Sequence, residues 1–386
     1  MENPISHVKV QYNSIFKSSP DHVFTSGGRF EVLGNHTDHN HGLCLAATCN
    51  LCITAAVGLR NDNIVEMVSE GFENETIDLN SLEHTKGSHH AGEMIKGVAN
   101  YFVEHGYKIG GMNIYSTSSI FAGAGVSSSA AFLLLIAQLF NMLFNNGEIP
   151  TLEMCKAGQY SENNYYEKKS GLLDEIGVAY GNLVSIDFYD IENPEINNIE
   201  FPFDDLHFVI INTGGSHSGL NDLYSSIPND MYTAAQTLGK YYLRYCDYRI
   251  FHANPQYFTE NQYKRGVHFF TENQRVVHAI QTIKYKDKEM FLKQINESRK
   301  SSTENLMNMM IENHYEGSPL EACDRAMEAM DNEGACKING GGFAGSIICV
   351  VPETKLSKFF PKMVEFYGKE NVVEVFIRTS GPKMEE

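Results

Sequence analysis

The sequence predicts an α+β fold of two domains, and three observations support this class. Alternating, strand-like segments such as 208–212 occur in both halves of the chain, and so do segments with helical spacing such as 93–105. The two kinds do not alternate steadily, as the βαβ units of a parallel sheet would. The chain has 386 residues, which is enough for two domains of ordinary size. The turn-rich region 191–205 predicts a boundary between domains 1–205 and 206–386.

The first half is expected to contain several strands. Within the helix expected at 93–105, Met94, Val98 and Phe102 recur at helical spacing and would share one face. A strand and loop rich in Gly, Arg, His, Thr and Asp is expected at 23–42. The other expected elements are an amphipathic opening at 8–17, strands at 43–59 and 182–188, a strand or hairpin at 66–79, and helices at 130–144 and 151–168.

The second half is expected to be mostly helical. Its one conspicuous turn is Gly340-Gly-Gly-Phe-Ala-Gly345, between two short apolar runs that read as strands. The expected helices lie at 230–245, 273–283, 286–298, 303–314, 319–331 and 355–367, and the expected strands at 208–212, 335–338, 346–351 and 372–377.

Composition and charge exclude several classes of function. Hydrophobic residues make up 42% of the chain, which is enough for real cores and too little for a membrane protein. The most apolar run, 130–144, is short for a bilayer and contains Gln138 and Asn141. The formal net charge is −18, so nucleic acid and anionic membranes are not expected partners. The start of the chain has no signal-peptide pattern, and we expect a cytoplasmic protein.

The eight cysteines are scattered and are not expected to form disulfides in a reducing compartment. Cys49 and Cys52 match C-x-x-C, and three histidines and Cys44 lie just upstream, so a zinc site is an alternative to consider. Against it, the motif lies in an expected strand, where positions three apart point to opposite faces. We therefore expect these cysteines to be small core residues.

A stretch of small residues, Gly123-Ala-Gly-Val-Ser-Ser-Ser-Ala130, leads into the apolar helix at 130–144. Glycines allow backbone N–H groups to converge on one point, and a helix start adds positive partial charge there. Serine hydroxyls add neutral donors and oxygen ligands for magnesium. The stretch therefore predicts a cradle for an anion such as phosphate, and the alternative is a flexible loop capped by serine. It is not a Walker loop, because no lysine follows at the required spacing.

Two further motifs accompany this cradle, and together the three resemble those of the GHMP kinase superfamily, specifically the galactokinases. The first, Gly28-Arg-Phe-Glu-Val-Leu-Gly-Asn-His-Thr-Asp38, is similar to the galactokinase signature G-R-x-N-x-x-G-E-H-T-D-Y. The cradle is similar to the family's G-x-G-L-S-S-S-A, and 340–345 to its G-x-G-F-G-G. The three occur in the family's order and at similar spacings over nearly the whole chain.

The resemblance implies a two-domain kinase that binds ATP, Mg²⁺ and a small sugar in the cleft between its domains, as a monomer. By this resemblance Asp174 would accept the proton of the sugar's C1 hydroxyl, and Arg29 would lie near the same hydroxyl. Mg²⁺ would be held by Ser129 and Glu162. Without the motifs, each of these residues would read as an ordinary surface or helix residue. The implied sugar-binding residues are Asn35, His36, Asp38, Gly171 and Tyr224, and the implied phosphate-binding residues are Gly123, Gly125, Ser127, Ser128, Ser129 and Ala130.

The sequence departs from the family's pattern where the sugar would bind. Asn35 stands where the family has Glu, His39 where it has Tyr, and Glu31 where it has Asn. The neutral Asn35 would still accept galactose, and it would also no longer repel a C6 carboxylate, so galacturonate is an alternative substrate. Glu175 stands where the family has Gln, and we expect it to raise the pKa of Asp174 if it points inward. A catalytically silent sugar sensor is the alternative outside the enzyme class.

Overall fold

The fold is organised by two long neighbouring strands, β1 (His22–Leu33) and β2 (Leu43–Leu59). In this computed structural model, which describes residues 3–121, 123–215, 219–311 and 314–385, nearly every residue of both strands is buried. Since both faces are covered, neither strand shows the alternation of a half-exposed strand. The predicted strand at 43–59 is confirmed at both ends.

The other helices and strands follow in chain order. In the first part of the chain they are α1 (Pro4–Phe16), β3 (Ile64–Ser69), β4 (Glu75–Asp78), α2 (Ala91–Glu104), β5 (Met112–Ser118), α3 (Ser128–Phe144), α4 (Thr151–Asn164), α5 (Leu173–Ala179), β6 (Leu183–Asp187) and β7 (Glu195–Ile199). In the second part they are β8 (Leu206–Asn212), α6 (Asn221–Thr237), α7 (Tyr248–Ala253), α8 (Glu260–Lys284), α9 (Lys288–Ser301), α10 (Pro319–Ala329), β9 (Ala335–Asn339), β10 (Ser346–Pro352), α11 (Leu356–Tyr367), β11 (Val372–Val375) and β12 (Lys383–Glu385).

Within the described residues the strands form two sheets. The first is eight-stranded, with the order β12-β1-β2-β5-β3-β4. Its strand β2 is long enough to pair with β5 along its second half and with β6, which in turn pairs with β7, along its first. The second sheet is four-stranded and antiparallel, with the order β11-β8-β10-β9. The mixture of sheets and helices confirms the α+β class.

Hydrophobic cores join the helices to the sheets and the two sheets to each other. Helices α2 to α5 cover one face of the first sheet, and α10 and α11 cover one face of the second. A further core joins β1 and β2 to the second sheet, and in it the rings of Phe30 and Phe208 lie 4.8 Å apart. Cys44 and Cys49 are fully buried core residues, as predicted for this strand, whereas Cys52, predicted likewise, is only partly buried.

Several predicted elements were wrong or displaced. The helix predicted at 303–314 is instead a short π-helical turn at Ser302–Leu306, and residues 312 and 313 lie outside the described part of the chain. The region 191–205, predicted to be turns, contains β7. Helix α6 begins nine residues before the predicted position 230, because Pro228 lies inside it rather than before it. The short elements α5, α7 and β12 were not predicted.

A buried ion pair links the two sheets beside the predicted sugar motif. Lys337 Nζ on β9 lies 2.7 Å from Glu31 Oε1 on β1, and the Lys337 side chain is 0% exposed. The ammonium also donates to the carbonyl of Ile338 at 2.8 Å. A charge taken so completely out of water is tolerated only because it has these partners.

We predict that Lys337→Met destabilises the protein by about 3–5 kcal/mol, since Glu31 is left buried and unpaired. The double variant Glu31→Gln/Lys337→Met removes both charges and should recover most of this loss. Urea denaturation measures the free energy of unfolding. The exposed Lys293→Met serves as control and should change it by less than about 0.5 kcal/mol. If Lys337→Met matched this control, the pair would not stabilise the fold.

Candidate functional site

Arg29 and Asp174 form the centre of the site. Arg29 projects from β1, and Asp174 lies in the first turn of α5. Arg29 Nε and Nη2 lie 2.8 and 2.7 Å from the same oxygen, Asp174 Oδ1, and Nη1 donates to the carbonyl of Gly125 at 2.8 Å. The Ser127 hydroxyl donates to the other oxygen, Asp174 Oδ2. The structure therefore brings the first motif, the cradle and Asp174 into direct contact.

The charges of this pair reinforce each other. Burial acts to raise the pKa of Asp174, but the Arg29 guanidinium and the Ser127 hydroxyl outweigh it, so this pKa lies below its ordinary value. Burial likewise acts to lower the pKa of Arg29, and Asp174 outweighs it and raises it. Both groups are therefore charged at neutral pH, and Asp174 is a weak base.

The cradle at 123–127 has the strained backbone that its glycines predict. Gly123, Gly125 and Ser127 have positive φ angles of 80°, 70° and 54°. A Cβ atom at Gly125 would lie 2.1 Å from Ser346 Oγ, so this position requires glycine. The Gly125 carbonyl also accepts a hydrogen bond from Asn339 Nδ2 at 3.1 Å, which anchors the loop to the second sheet.

The cradle ends where α3 begins. Ser128, Ser129 and Ala130 form the first turn of this helix. The N–H groups of a first turn have no carbonyl partner within the helix, and they are the usual binding site for a phosphate. The predicted phosphate-binding residues therefore lie at one helix start, next to the Arg29–Asp174 pair.

A second carboxylate, Glu162, lies beside this helix start. It belongs to α4, and its side chain is 1% exposed. The Ser129 hydroxyl donates to Glu162 Oε1 at 2.8 Å, so the two predicted metal ligands are in contact. Lys168 Nζ lies 2.7 Å from the same oxygen. No sequence pattern predicted a role for this lysine, because its contact depends on the path of the loop after α4.

A third carboxylate of the site, Asp38, lies against Gly171. It starts a single helical turn at Asp38–Asn40 that follows β1. A Cβ atom at Gly171 would lie 2.9 Å from Asp38 Oδ2, so a larger residue would press on this carboxylate. Burial raises the pKa of Asp38 to about 6, and the charges of Glu31 and Asp174 add to the effect. Asp38 is thus a carboxylate held at an electrostatic cost.

Two neutral histidines flank Asp38. His36 has a positive φ of 57°, and its Nε2 donates to the carbonyl of Gly341 at 2.8 Å. Burial lowers the pKa of His36, and it lowers that of His39 still further. The rings of His36 and His39 lie 5.6 Å apart, and the ring of Tyr232 lies 6.1 Å from that of His39. His39 was predicted only as a departure from the family's sugar motif, and Tyr232 was not predicted as a site residue.

Asn35 is turned into the protein. Its side chain is buried, and Nδ2 donates to the carbonyl of Gly340 at 2.8 Å and to Glu31 Oε2 at 3.3 Å. Its Oδ1 accepts a hydrogen bond from Asn308 Nδ2 at 2.9 Å. Both ends of the amide therefore have protein partners. The contact of Asn35 with a sugar stays a prediction.

Tyr224, on α6, packs against the glycine-rich turn. Its hydroxyl donates to the carbonyl of Gly342 at 2.8 Å, and its ring packs edge-on against Phe343 at 5.5 Å. Burial raises the pKa of Tyr224 to about 12. Because His36 contacts the same turn, Tyr224 and the first motif are held close together.

Glu175 follows Asp174 and lies in the interior of the protein. It is fully buried against α4, and a Cβ atom at Gly158 would lie 3.1 Å from its Cγ. Neither of its carboxyl oxygens has a hydrogen-bond partner among the described residues. Burial raises its pKa well above the ordinary value, so Glu175 is a neutral acid. We expected Glu175 to raise the pKa of Asp174 if it pointed inward; overall, the pKa of Asp174 is lowered by Arg29 and Ser127.

Comparison with known proteins agrees with this geometry. Residues 11–59 match the galactokinase galactose-binding signature, and residues 93–182 match the N-terminal domain of GHMP kinases. The chain is 28% identical to a galactokinase of Streptococcus thermophilus over 369 residues, which covers 92% of this chain and 91% of that one. It is 27% identical to a galactokinase of Clostridium tetani, over 95% and 93% of the two chains.

A solved structure shows the same fold. The crystal structure of Lactococcus lactis galactokinase in complex with galactose superposes with a TM-score of 0.86, at 24% identity, over 99% of this chain and 100% of that one. The chain is thus similar to the GHMP kinases in both matched segments and in its fold. The two matched segments contain Arg29, Asp38, the cradle and Asp174, the residues that the structure brings together.

Two further findings concern metal binding and membrane spans among the described residues. The described residues contain no group of three or more His, Cys, Asp or Glu side chains placed to hold a metal ion. None of their helices is both long enough and apolar enough to cross a membrane.

We predict that Asp38→Asn stabilises the protein at pH 7 by about 1–2 kcal/mol, because it removes a carboxylate whose ionisation burial opposes. The raised pKa of about 6, against 3.8 for an ordinary Asp, fixes the sign. Below about pH 3 the carboxyl is neutral in both states, so the variant and the wild type should be equally stable. The difference should develop between about pH 4 and 6 and stay constant above.

Urea denaturation between pH 4 and 8 measures this difference, with the exposed Asp204→Asn as control. A difference that does not change with pH, or one that the control shares, would contradict the environment assigned to Asp38.

Proposed function

We propose that this protein transfers the γ-phosphate of ATP to the C1 hydroxyl of galactose, giving galactose 1-phosphate and ADP. The observation that carries the proposal is the Arg29–Asp174 pair, which lies between the helix start of the cradle and the Asp38 carboxylate. A phosphate donor and a hydroxylated acceptor bound at these two places would meet at the pair. The curated relatives are galactokinases, and the matched signature is the one for galactose.

Asp174 and Arg29 divide the work of the transfer. The C1 oxygen forms a bond to the γ-phosphorus, the bond to the β-phosphate oxygen breaks, and ADP leaves. The proton of the C1 hydroxyl passes to Asp174. Because Asp174 is a weak base, it takes this proton late, when the new bond to phosphorus has already made the hydroxyl acidic. Phosphoryl transfer usually has a loose transition state, and such a transition state is compatible with a weak base. Arg29 orients the carboxylate and offsets negative charge in the transition state.

The sugar's hydroxyl groups require acceptors and neutral donors. Asp38 would accept from neighbouring hydroxyls, His36 would add a neutral contact, and Gly171 leaves room beside Asp38. Tyr224 and Asn35 support these residues through the glycine-rich turn.

Galactose is favoured over galacturonate. A C6 carboxylate would need a cation, but Lys337 is fully buried and paired with Glu31, and the histidines are neutral. Although Asn35 stands where the family has Glu, a carboxylate is still present close to this position. Glu31 Oε2 lies 3.3 Å from Asn35 Nδ2.

Ser129 and Glu162 fit a magnesium ion that accompanies ATP. Their hydroxyl and carboxylate oxygens lie 2.8 Å apart beside the cradle, and one or two protein oxygens are the usual share of Mg²⁺ in a kinase. When bound, the ion would neutralise charge on the β- and γ-phosphates. The protein residues would hold it next to the helix start.

Three broader expectations accompany this function. We propose that the domains divide at 205/206, which is supported by the start of the second sheet at β8, although β12 returns to the first sheet. We also keep the monomeric state and the cytoplasmic location as predictions.

We predict that Asp174→Asn lowers kcat by about 10²–10⁴-fold, because the amide accepts no proton, while sugar binding persists. Steady-state kinetics and calorimetry with galactose measure the two properties. Glu175→Gln is the matched control. It exchanges a neutral acid for an amide of the same shape and should keep kcat within about threefold. Undiminished turnover in Asp174→Asn would rule out Asp174 as the base.

Substrate choice is tested with the wild-type protein, ATP and Mg²⁺. We expect galactose to be phosphorylated and galacturonate to react at least about 10²-fold more slowly, because its carboxylate would be buried without a partner. Phosphate transfer to galacturonate alone would overturn the specificity, and transfer to neither sugar would overturn the kinase function.

A further inference from the structure

Lys168 is a cation at the candidate metal position to which the proposed function gives no role. Its side chain is 55% exposed, yet its Nζ contacts Glu162, which is enclosed. The contacted oxygen, Oε1, is the same one that accepts the Ser129 hydroxyl. The ammonium therefore reaches from the surface onto one of the two oxygens that fit a metal ion.

The charge balance of the site explains why a cation is needed there. Asp174 is neutralised by Arg29 through two contacts to one oxygen. Glu162 has Lys168 as its ion-pair partner, and the Ser129 hydroxyl is neutral. Without Lys168, an almost completely buried carboxylate would lie unbalanced beside the helix start where a triphosphate would bind. It would repel that triphosphate.

A metal ion and Lys168 compete for this carboxylate. Both are cations, and they would repel each other strongly on one oxygen of a buried group. Lysine has a long flexible stem and a compact charge, and the exposure of this side chain leaves it free to swing away. The nearest new source of negative charge would be the triphosphate itself, and lysine is a common phosphate ligand.

We propose that Lys168 exchanges places with the metal. In the metal-free protein its ammonium neutralises Glu162; when a metal-bound nucleotide fills the cradle, the metal takes Glu162 and Ser129, and the ammonium moves to a phosphate oxygen. This inference rests on the proposed function, because it assumes that the cradle binds ATP. No covalent bond changes in the exchange.

Calorimetry with the nonhydrolysable analogue β,γ-imido-ATP tests the exchange, once with Mg²⁺ and once with EDTA. In EDTA, Lys168→Met should weaken binding by about tenfold or more, because Glu162 then faces the triphosphate unbalanced. With Mg²⁺ the loss should be smaller, about threefold, since only the phosphate contact is missing. The adjacent, exposed Lys169→Met is the matched control and should bind as the wild type does in both media.

Glu162→Gln should have the opposite effect in EDTA. It removes the repelling charge and releases Lys168, so the analogue should bind more tightly than to the wild type, and Mg²⁺ should add less to the affinity. The exchange would be overturned if Lys168→Met lost the same affinity for the analogue in both media, or lost affinity in one medium only. It would also be overturned if Lys168→Met bound the analogue as Lys169→Met does. Weaker binding of the analogue to Glu162→Gln in EDTA would overturn it as well.

Unfolding midpoints of all variants show that each remains folded. If the wild type binds the analogue and phosphorylates galactose while the variants deviate from these expectations, the exchange alone is wrong. If the wild type binds no analogue in either medium, the proposed kinase function itself fails.

Discussion

The ion pair between Arg29 and Asp174 is the interaction on which the rest of the site depends. It joins β1 of the first sheet to the first turn of α5, and through Gly125 and Ser127 it fixes the cradle. Both charges are largely removed from water, so each is tolerated only in the presence of the other. The pair thus determines where a phosphate donor and its acceptor would meet, and it sets the basicity of Asp174.

Charge is also balanced in the rest of the site. The protein carries a net charge of −18, yet it would bind a polyanion, so cations and helix dipoles must be concentrated at one place. Arg29, Lys168 and the start of α3 supply them. The carboxyl groups of the site differ in how their charge is balanced. Asp174 and Glu162 are each paired with a cation, and Glu175 is neutral. Asp38 is a carboxylate whose ionisation burial opposes.

The predicted site residues that the structure brings together were found by resemblance to one family. Arg29 and Ser127 belong to short motifs with the family's order and spacing, Asp174 was matched to the family by itself, and the three are in contact. Strand 43–59 was predictable because its largely apolar run is long. The predicted roles of these residues in binding and catalysis rest on the experiments proposed above.

What the sequence did not predict depends on contacts between distant segments. Glu31 and Lys337 are 306 residues apart, and no spacing rule pairs them. The inward turn of Asn35 follows from partners on the glycine-rich turn and at Asn308. Local rules also failed where tertiary packing overrode them, as at Pro228, which lies within α6.

The most direct test of the central claim is the position of the transferred phosphate. The protein, incubated with ATP, Mg²⁺ and galactose labelled with ¹³C at C1, should give a product whose C1 resonance is split by phosphorus, with one ADP formed for each product. A product phosphorylated at another carbon, or ADP formed without a sugar phosphate, would contradict the assignment of Arg29 and Asp174 to the C1 hydroxyl.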